Sequence, residues 1–264
     1  MDRSDIAYWD RLSTYWSVPP PLSPAESDLA WFGARIAERE CRRVLLLGAT
    51  AALASLRWPR HAALAALDWS TGMLTRALGP GNAARVAGDW RRMPLAAATQ
   101  DVLIGDGCYS ALGSAEDAVL FTTEMRRVLH AHGEVWMRCF VQPQGPASVA
   151  EVLEALDGSA VPAHLFRWRL AMAVHGAARY GFALHEAWEA WSRVPDRLRV
   201  ARRLDWTEAE VQRFERWRGE SARYAFPTLE RLRDIVSGSF EVVRVDASPG
   251  PLGECFPRLQ LRRR

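Results

Sequence analysis

Short apolar runs alternate with segments of helical period through the first half of the chain. Arg43-Val-Leu-Leu-Leu-Gly48 is an uninterrupted apolar run closed by glycine, the pattern of a strand covered on both faces. Ala62 to Leu67, ending at Asp68, repeats it. Ala84 to Ala87, ending at Gly88-Asp89, Asp101 to Ile104, ending at Gly105-Asp106-Gly107, and Glu134 to Val141 predict a third, fourth and fifth strand. Phe240 to Val245 and Arg258 to Leu261 predict two further strands close together late in the chain. Between the early runs lie helix signals. Ser23, Pro24 and Glu26 form a capping pattern, with Leu29, Phe32 and Ile36 at helical spacing behind them, and predict a helix over 24–40. Ser70 caps a helix running through Leu78. Ser114, followed by Glu116 and Asp117, opens another that closes with Arg126, Arg127 and His130 before Gly133, charges that complement the helix dipole at both ends. Alternation of this kind predicts an α/β fold: a Rossmann-like, mostly parallel seven-stranded sheet with helices on both faces, an antiparallel edge strand, and a helical insertion.

The insertion is read from a break in the rhythm. Residues 143–226 are helical in pattern and hold Trp168, Trp188, Trp191, Trp206 and Trp217, a cluster that reads more readily as a helical core than as a substrate box. The chain divides accordingly into an N-terminal aromatic segment and helix over 1–40, a Rossmann-like core over 41–142, a helical insertion or cap over 143–226, and a final helix with edge strands over 227–264. Tyr8, Trp9, Tyr15 and Trp16 in the first segment read as staples packing the first helix.

Composition narrows the chemistry. All 34 basic residues are Arg, so mechanisms that need a Schiff-base or P-loop lysine are excluded. The arginines are interleaved with acids, as in Glu208-Ala-Glu210 followed by Arg213, Arg216 and Arg218, a pattern of a solvated helix face. The net charge of +3, with one short basic run at Arg262-Arg263-Arg264, gives no nucleic-acid footprint. Cys41, Cys108, Cys139 and Cys255 have no metal-ligand spacing and read as packed thiols of a reducing compartment, so no metal is expected. No signal peptide and no membrane-length apolar run is visible, and a cytoplasmic protein without a membrane partner is expected.

Ligands of open parallel sheets bind beyond the carboxyl ends of the strands. There the chain carries Gly48, Asp68, Gly88-Asp89 and Gly105-Asp106-Gly107. Glycine admits close backbone approach, and a carboxylate 20 residues after Gly48 suits the two hydroxyls of a ribose. Asp89 is placed to accept from an adenine amino group. The combination implies an adenosine-containing ligand.

Over about residues 40–142 and again over 226–264 the sequence resembles the class I S-adenosylmethionine-dependent methyltransferases. Val44-Leu-Leu-Leu-Gly48 resembles the first motif, Leu67-Asp68-Trp69-Ser70 the ribose-binding second, Gly88-Asp89-Trp90 the adenine-contacting third, and Asp101-Val-Leu-Ile-Gly-Asp106-Gly the fourth. The first motif retains one glycine, with Ala49, Thr50 and Ala51 behind it and no acid in the strand. The resemblance implies S-adenosylmethionine as cofactor, held by Gly48, Ala49, Thr50, Asp68, Trp69, Asp89, Trp90 and Asp106. Methyl transfer to a small molecule at oxygen or nitrogen is the expected activity. Asp106 or His175 is the candidate base, with His164 and His185 also in the insertion. Two other classes stay open: a non-catalytic binding or scaffold protein on the same fold, which the reduced glycine motif favours, and a nicotinamide-dependent oxidoreductase, which the missing GxGxxG disfavours. The sequence does not fix the oligomeric state.

Overall fold

A computed structural model describes residues 3–15, 18–157, 161–176, 180–250 and 252–264. Trp16 of the aromatic segment lies outside the described residues. Five parallel strands form the body of the sheet: β1 (Arg43–Leu47), β2 (Ala63–Asp68), β3 (Ala84–Ala87), β4 (Gln100–Asp106) and β5 (Leu129–Arg138). Two dipeptide strands, β6 (Phe182–Ala183) and β7 (Arg223–Tyr224), pair by themselves. The hairpin of β8 (Phe240–Asp246) and β9 (Arg258–Arg263) completes seven strands in the order β3-β2-β1-β4-β5-β9-β8, with β9 antiparallel to both neighbours.

The apolar run of β1 is continuous because both faces are covered. Val44 and Leu46 point to one core with Phe32, Ile36, Leu53 and Trp136, while Leu45 and Leu47 point to the other with Leu103, Phe121, Met125 and Val236. The first core is closed by α2 (Glu26–Glu38) and α3 (Ala51–Ala54), the second by α4 (Ala115–Val128) and α10 (Leu229–Ser237). The Ser114 hydroxyl accepts from the Asp117 N–H at 3.1 Å, as the capping pattern requires.

Four local expectations are revised. The second helix begins at Glu26, not 24; Ala25 is its cap residue and donates its N–H to Asp28 Oδ2 at 3.0 Å, so the acid three residues on sets the start. Ser70 does accept from the Met73 N–H at 3.0 Å, but the turn that follows, Met73–Ala77, is a π-helix. The fifth strand ends at Arg138, after which Cys139 and Val141 donate to the carbonyls of Pro257 and Cys255 outside a regular ladder. An N-terminal helix, α1 (Arg3–Leu12), is present where only an aromatic segment was expected.

Between β5 and α10 the chain forms α5 (Val149–Glu154), α6 (Ala163–His175), α7 (Leu184–Ser192), α8 (Arg197–Arg203) and α9 (Glu208–Glu215). Their shared core holds Phe166, Trp191, Trp206 and Phe214. A second cluster joins α6 to the N-terminal helix through Tyr8, Trp168, Trp217 and Phe256. Among the described residues no helix is long and apolar enough to cross a membrane.

Candidate functional site

A cavity of about 150 Å³ opens at the carboxyl ends of β1, β2 and β4, far larger than the roughly 10–15 Å³ a single water needs. Gly48, Ala49 and Thr50 line it where β1 passes into α3. Gly48 has φ +94°, a conformation that L side chains rarely adopt, and a Cβ there would lie 3.5 Å from Trp90 Cζ2 and 3.9 Å from Asp68 Oδ2. Asp68 and Trp69 enter from the end of β2, Trp90 from the loop after β3, and Asp106 from the end of β4.

Asp68 is buried, and its Oδ1 accepts from the Ser70 N–H at 2.8 Å. Burial pushes its carboxyl up to about 7, against the backbone N–H groups of Ser70 and Trp69 that favour the anion; the Asp10 carboxylate adds to the rise. Asp10 belongs to α1, and its Oδ1 accepts from the Ser70 hydroxyl at 2.5 Å and the Gly72 N–H at 2.9 Å. That pair of bonds fastens the N-terminal helix over the strand ends, so Tyr8, Trp9 and Tyr15 become part of the cavity wall. They are wall residues, rather than staples of the second helix alone: Tyr8 and Trp9 pack on Tyr224, and Tyr8 and Tyr224 share a hydroxyl contact of 3.4 Å. The indoles of Trp69 and Trp90 lie parallel, 4° apart in plane, with centroids at 6.2 Å, and Trp90 Nε1 donates to the Leu67 carbonyl at 2.8 Å.

Asp106 lines the cavity floor but is committed. Arg138, fully buried, donates from Nε to Oδ1 at 2.7 Å and from Nη2 to Oδ2 at 3.0 Å. Burial pushes the Asp106 carboxyl up, and the Arg138 guanidinium opposes it. A base role would require this bidentate pair to break. Sequence reasoning named Asp106 and missed Arg138, which sits unmarked inside the apolar fifth strand.

Two expected residues are not brought to the cavity. Asp89 lies outside its lining, and its carboxylate is clasped by Arg91 from Nε and Nη2, the latter at 2.6 Å. Burial acts to raise its pKa, but Arg91 overrides this and leaves the group below its ordinary range. His175, the candidate base, is buried beneath the helical segment. Its Nδ1 is 2.6 Å from Gln142 Nε2, and its Nε2 accepts from the Gly181 N–H at 3.0 Å, so the ring is fixed in the interior and does not face the cavity. Cys108 is a packed thiol, pushed well up by burial, and all four cysteines are buried and free. Among the described residues no group of three or more His, Cys, Asp or Glu could hold a metal ion.

The opposite wall comes from the helical segment, and the sequence pattern concealed it. Trp168 and Trp217 face the cavity, whereas Trp191 and Trp206 belong to the helical core, so the tryptophan cluster splits between both roles. Arg167, Arg213 and Arg216 also line the cavity. The last two belong to the acid-interleaved stretch expected to be a solvated face. Glu208 and Arg218 are exposed as that pattern predicts, but Arg213 is half-buried and turned inward.

No protein-family model matches the chain, and no curated protein matches it in sequence. Solved structures match in shape. A protein from Rhodobacter sphaeroides, provisionally described as a Zn-dependent alcohol dehydrogenase, aligns over 100% of both chains at 16% identity with a TM-score of 0.67. The CcbJ methyltransferase of Streptomyces caelestis aligns over 98% of both chains at 12% identity, TM-score 0.59. The 1,6-didemethyltoxoflavin-N1-methyltransferase of Burkholderia thailandensis, solved with its substrate and S-adenosylhomocysteine, aligns over 98% of this chain and 87% of its own at 14% identity, TM-score 0.54. Sheet order and these alignments together give the fold.

Proposed function

We propose that this chain, built on the class I methyltransferase fold, transfers a methyl group from S-adenosylmethionine to a small-molecule acceptor at oxygen or nitrogen. The observation that carries this reading is Asp68: a buried carboxylate at the end of β2, inside the cavity, with Oδ2 beside Gly48 and a pKa raised to about 7 by desolvation. Ligand hydroxyls donating to it would offset that desolvation, which fits a ribose. Gly48 leaves room beside it that a Cβ would take, and the parallel faces of Trp69 and Trp90 offer stacking surfaces for a purine.

When bound, the cofactor supplies an activated methyl group on a good leaving group. The chain supplies position. The aromatic walls exclude water, and the Asp106–Arg138 pair holds the floor of the cavity rigid. With Asp106 engaged and His175 elsewhere, orientation of the acceptor is the main source of rate. The zinc chemistry in the description of the Rhodobacter sphaeroides neighbour finds no ligand group here among the described residues. A cytoplasmic setting, with no nucleic-acid or membrane partner, completes the proposal.

A second reading, a non-catalytic binding protein on the same fold, draws on the same engaged Asp106 and on the single glycine after β1. Calorimetric titration with S-adenosylmethionine and S-adenosylhomocysteine tests the first reading; binding of neither defeats it. A methyl-transfer assay on a panel of small-molecule acceptors then separates enzyme from binding protein.

A further inference from the structure

Three guanidinium groups line the cavity from the helical segment, and among the described residues no carboxylate forms an ion pair with them, although Glu210 lies near Arg167 and Arg213. Arg167 of α6 lies with Cζ 5.1 Å above the Trp217 ring, its Nη1 donates to the Arg213 carbonyl at 3.3 Å, and its Nε is buried without a partner. Arg213 lies in the last turn of α9, and Arg216 caps that helix with Cζ 3.7 Å over the Tyr15 ring. Among the described residues none of the three forms an ion pair.

Three acids near these arginines in sequence have other partners. Glu210 accepts from the N–H and hydroxyl of Thr207. Glu215 accepts from the indoles of Trp188 at 2.9 Å and Trp191 at 3.3 Å, and Glu220 pairs with Arg11. Burial lowers the Arg167 pKa, and the Arg213 and Arg216 charges lower it further, opposed in part by Tyr8 and Tyr224. A guanidinium does not escape such a setting by losing its proton; an anion between the three groups relieves it. The surrounding surface is aromatic: Tyr15, Trp168, Trp217 and Tyr224.

We infer that the helical wall of the cavity binds a planar aromatic molecule through an oxyanion, a carboxylate or phosphate, held by Arg167, Arg213 and Arg216. If the methyl-transfer reading stands, this molecule is the acceptor. It would lie with its charged end at the helices and its body toward Asp68, because the carboxylate at the strand ends repels an anion.

Calorimetric titration with 2-naphthoate, 2-naphthyl phosphate and 2-naphthamide tests this. At least one oxyanion should bind tenfold or more tighter than the neutral amide, and the preference should fall at least fivefold in Arg216→Gln, a replacement at an exposed position, and in Arg167→Gln. An amide that binds as tightly as both anions overturns the inference. So does a preference that survives both substitutions. A third arm addresses the other source of a carboxylate, the amino-acid end of the cofactor. If Arg216→Gln weakens S-adenosylhomocysteine but leaves 5′-methylthioadenosine untouched, the arginines hold the cofactor and the inference fails. Oxyanion preference without any S-adenosylhomocysteine binding upholds the arginine site and removes the methyl-transfer reading instead.

Discussion

The two walls of the cavity are built by different means and carry opposite charge. The strand-end wall presents Asp68 and the Asp106–Arg138 pair on backbone fixed by the sheet ladder. The helical wall presents Arg167, Arg213 and Arg216 on and beside helices placed mainly by side-chain packing. A parallel sheet delivers the ends of its strands to one rim whatever their side chains, so a single acid there can be placed accurately. Helices have no such rim, and which of their faces turns inward depends on every neighbour. The difference also gives a bound molecule a direction, with hydroxyl donors at the strand ends and anionic groups at the helices.

The strongest way to break this contrast is to unseat the strand-end wall. Arg138→Met leaves Asp106 buried without its guanidinium and Asp28 with Arg258 as its remaining one, and should cost about 3–5 kcal/mol in urea unfolding. A loss under about 1 kcal/mol would mean that the wall is not held by this pair. Next, Asp68→Ala should weaken S-adenosylhomocysteine by roughly 1.5–3 kcal/mol through lost charge-assisted hydrogen bonds, measured by calorimetry. Naphthoate binding should persist in this variant; loss of both ligands would show that the walls are not independent. Gly48→Ala forces an L side chain to φ +94° and should lower stability by about 1–2 kcal/mol. An unchanged unfolding midpoint would show that the turn relaxes freely.

The last effect concerns pH. Asp68 has a folded pKa of about 7, above its unfolded value near 4, so the folded state holds its proton over that interval. Its contribution to stability therefore falls as pH rises from about 4 to about 7 and is flat beyond. Ribose hydroxyls need the ionised form, so S-adenosylhomocysteine affinity should rise about tenfold between about pH 6 and pH 8. Asp68→Asn should remove both slopes; an affinity profile that stays flat in the unaltered protein would contradict the carboxylate's role.

The legibility of the sequence divides along the same line. The strands over 43–47 and 63–68 are readable because burial demands apolar runs, and Gly48 and Asp68 are readable because they sit where those runs stop. The helix start at Glu26 is misplaced by two residues because Asp28, not Glu26, closes onto the cap residue. Arg138 is invisible in an apolar strand, since its partner lies 32 residues away on β4. Arg213 and Arg216 share the pattern of the exposed Arg218, and that Arg213 is half-buried and the Arg216 guanidinium lies over the Tyr15 ring depends on neighbours the local sequence does not show. His175 reads as available chemistry, yet two neighbouring chain segments hold its ring in the interior.

Asp28 carries a consequence for how the chain reaches this shape. Its carboxylate accepts from the Ser248 hydroxyl at 2.6 Å and lies 3.5 Å from Arg138 and 3.6 Å from Arg258, while Arg258 also donates to the Ser27 carbonyl across a separation of 231 residues. Contacts this remote in sequence form late and slowly, because a long loop must close before they contribute anything. The second helix is thus sewn to the ninth strand, and the helical segment is spanned by that stitch. Folding should proceed as one cooperative event, with the amides of β1 and β9 acquiring hydrogen-exchange protection together instead of in order of synthesis.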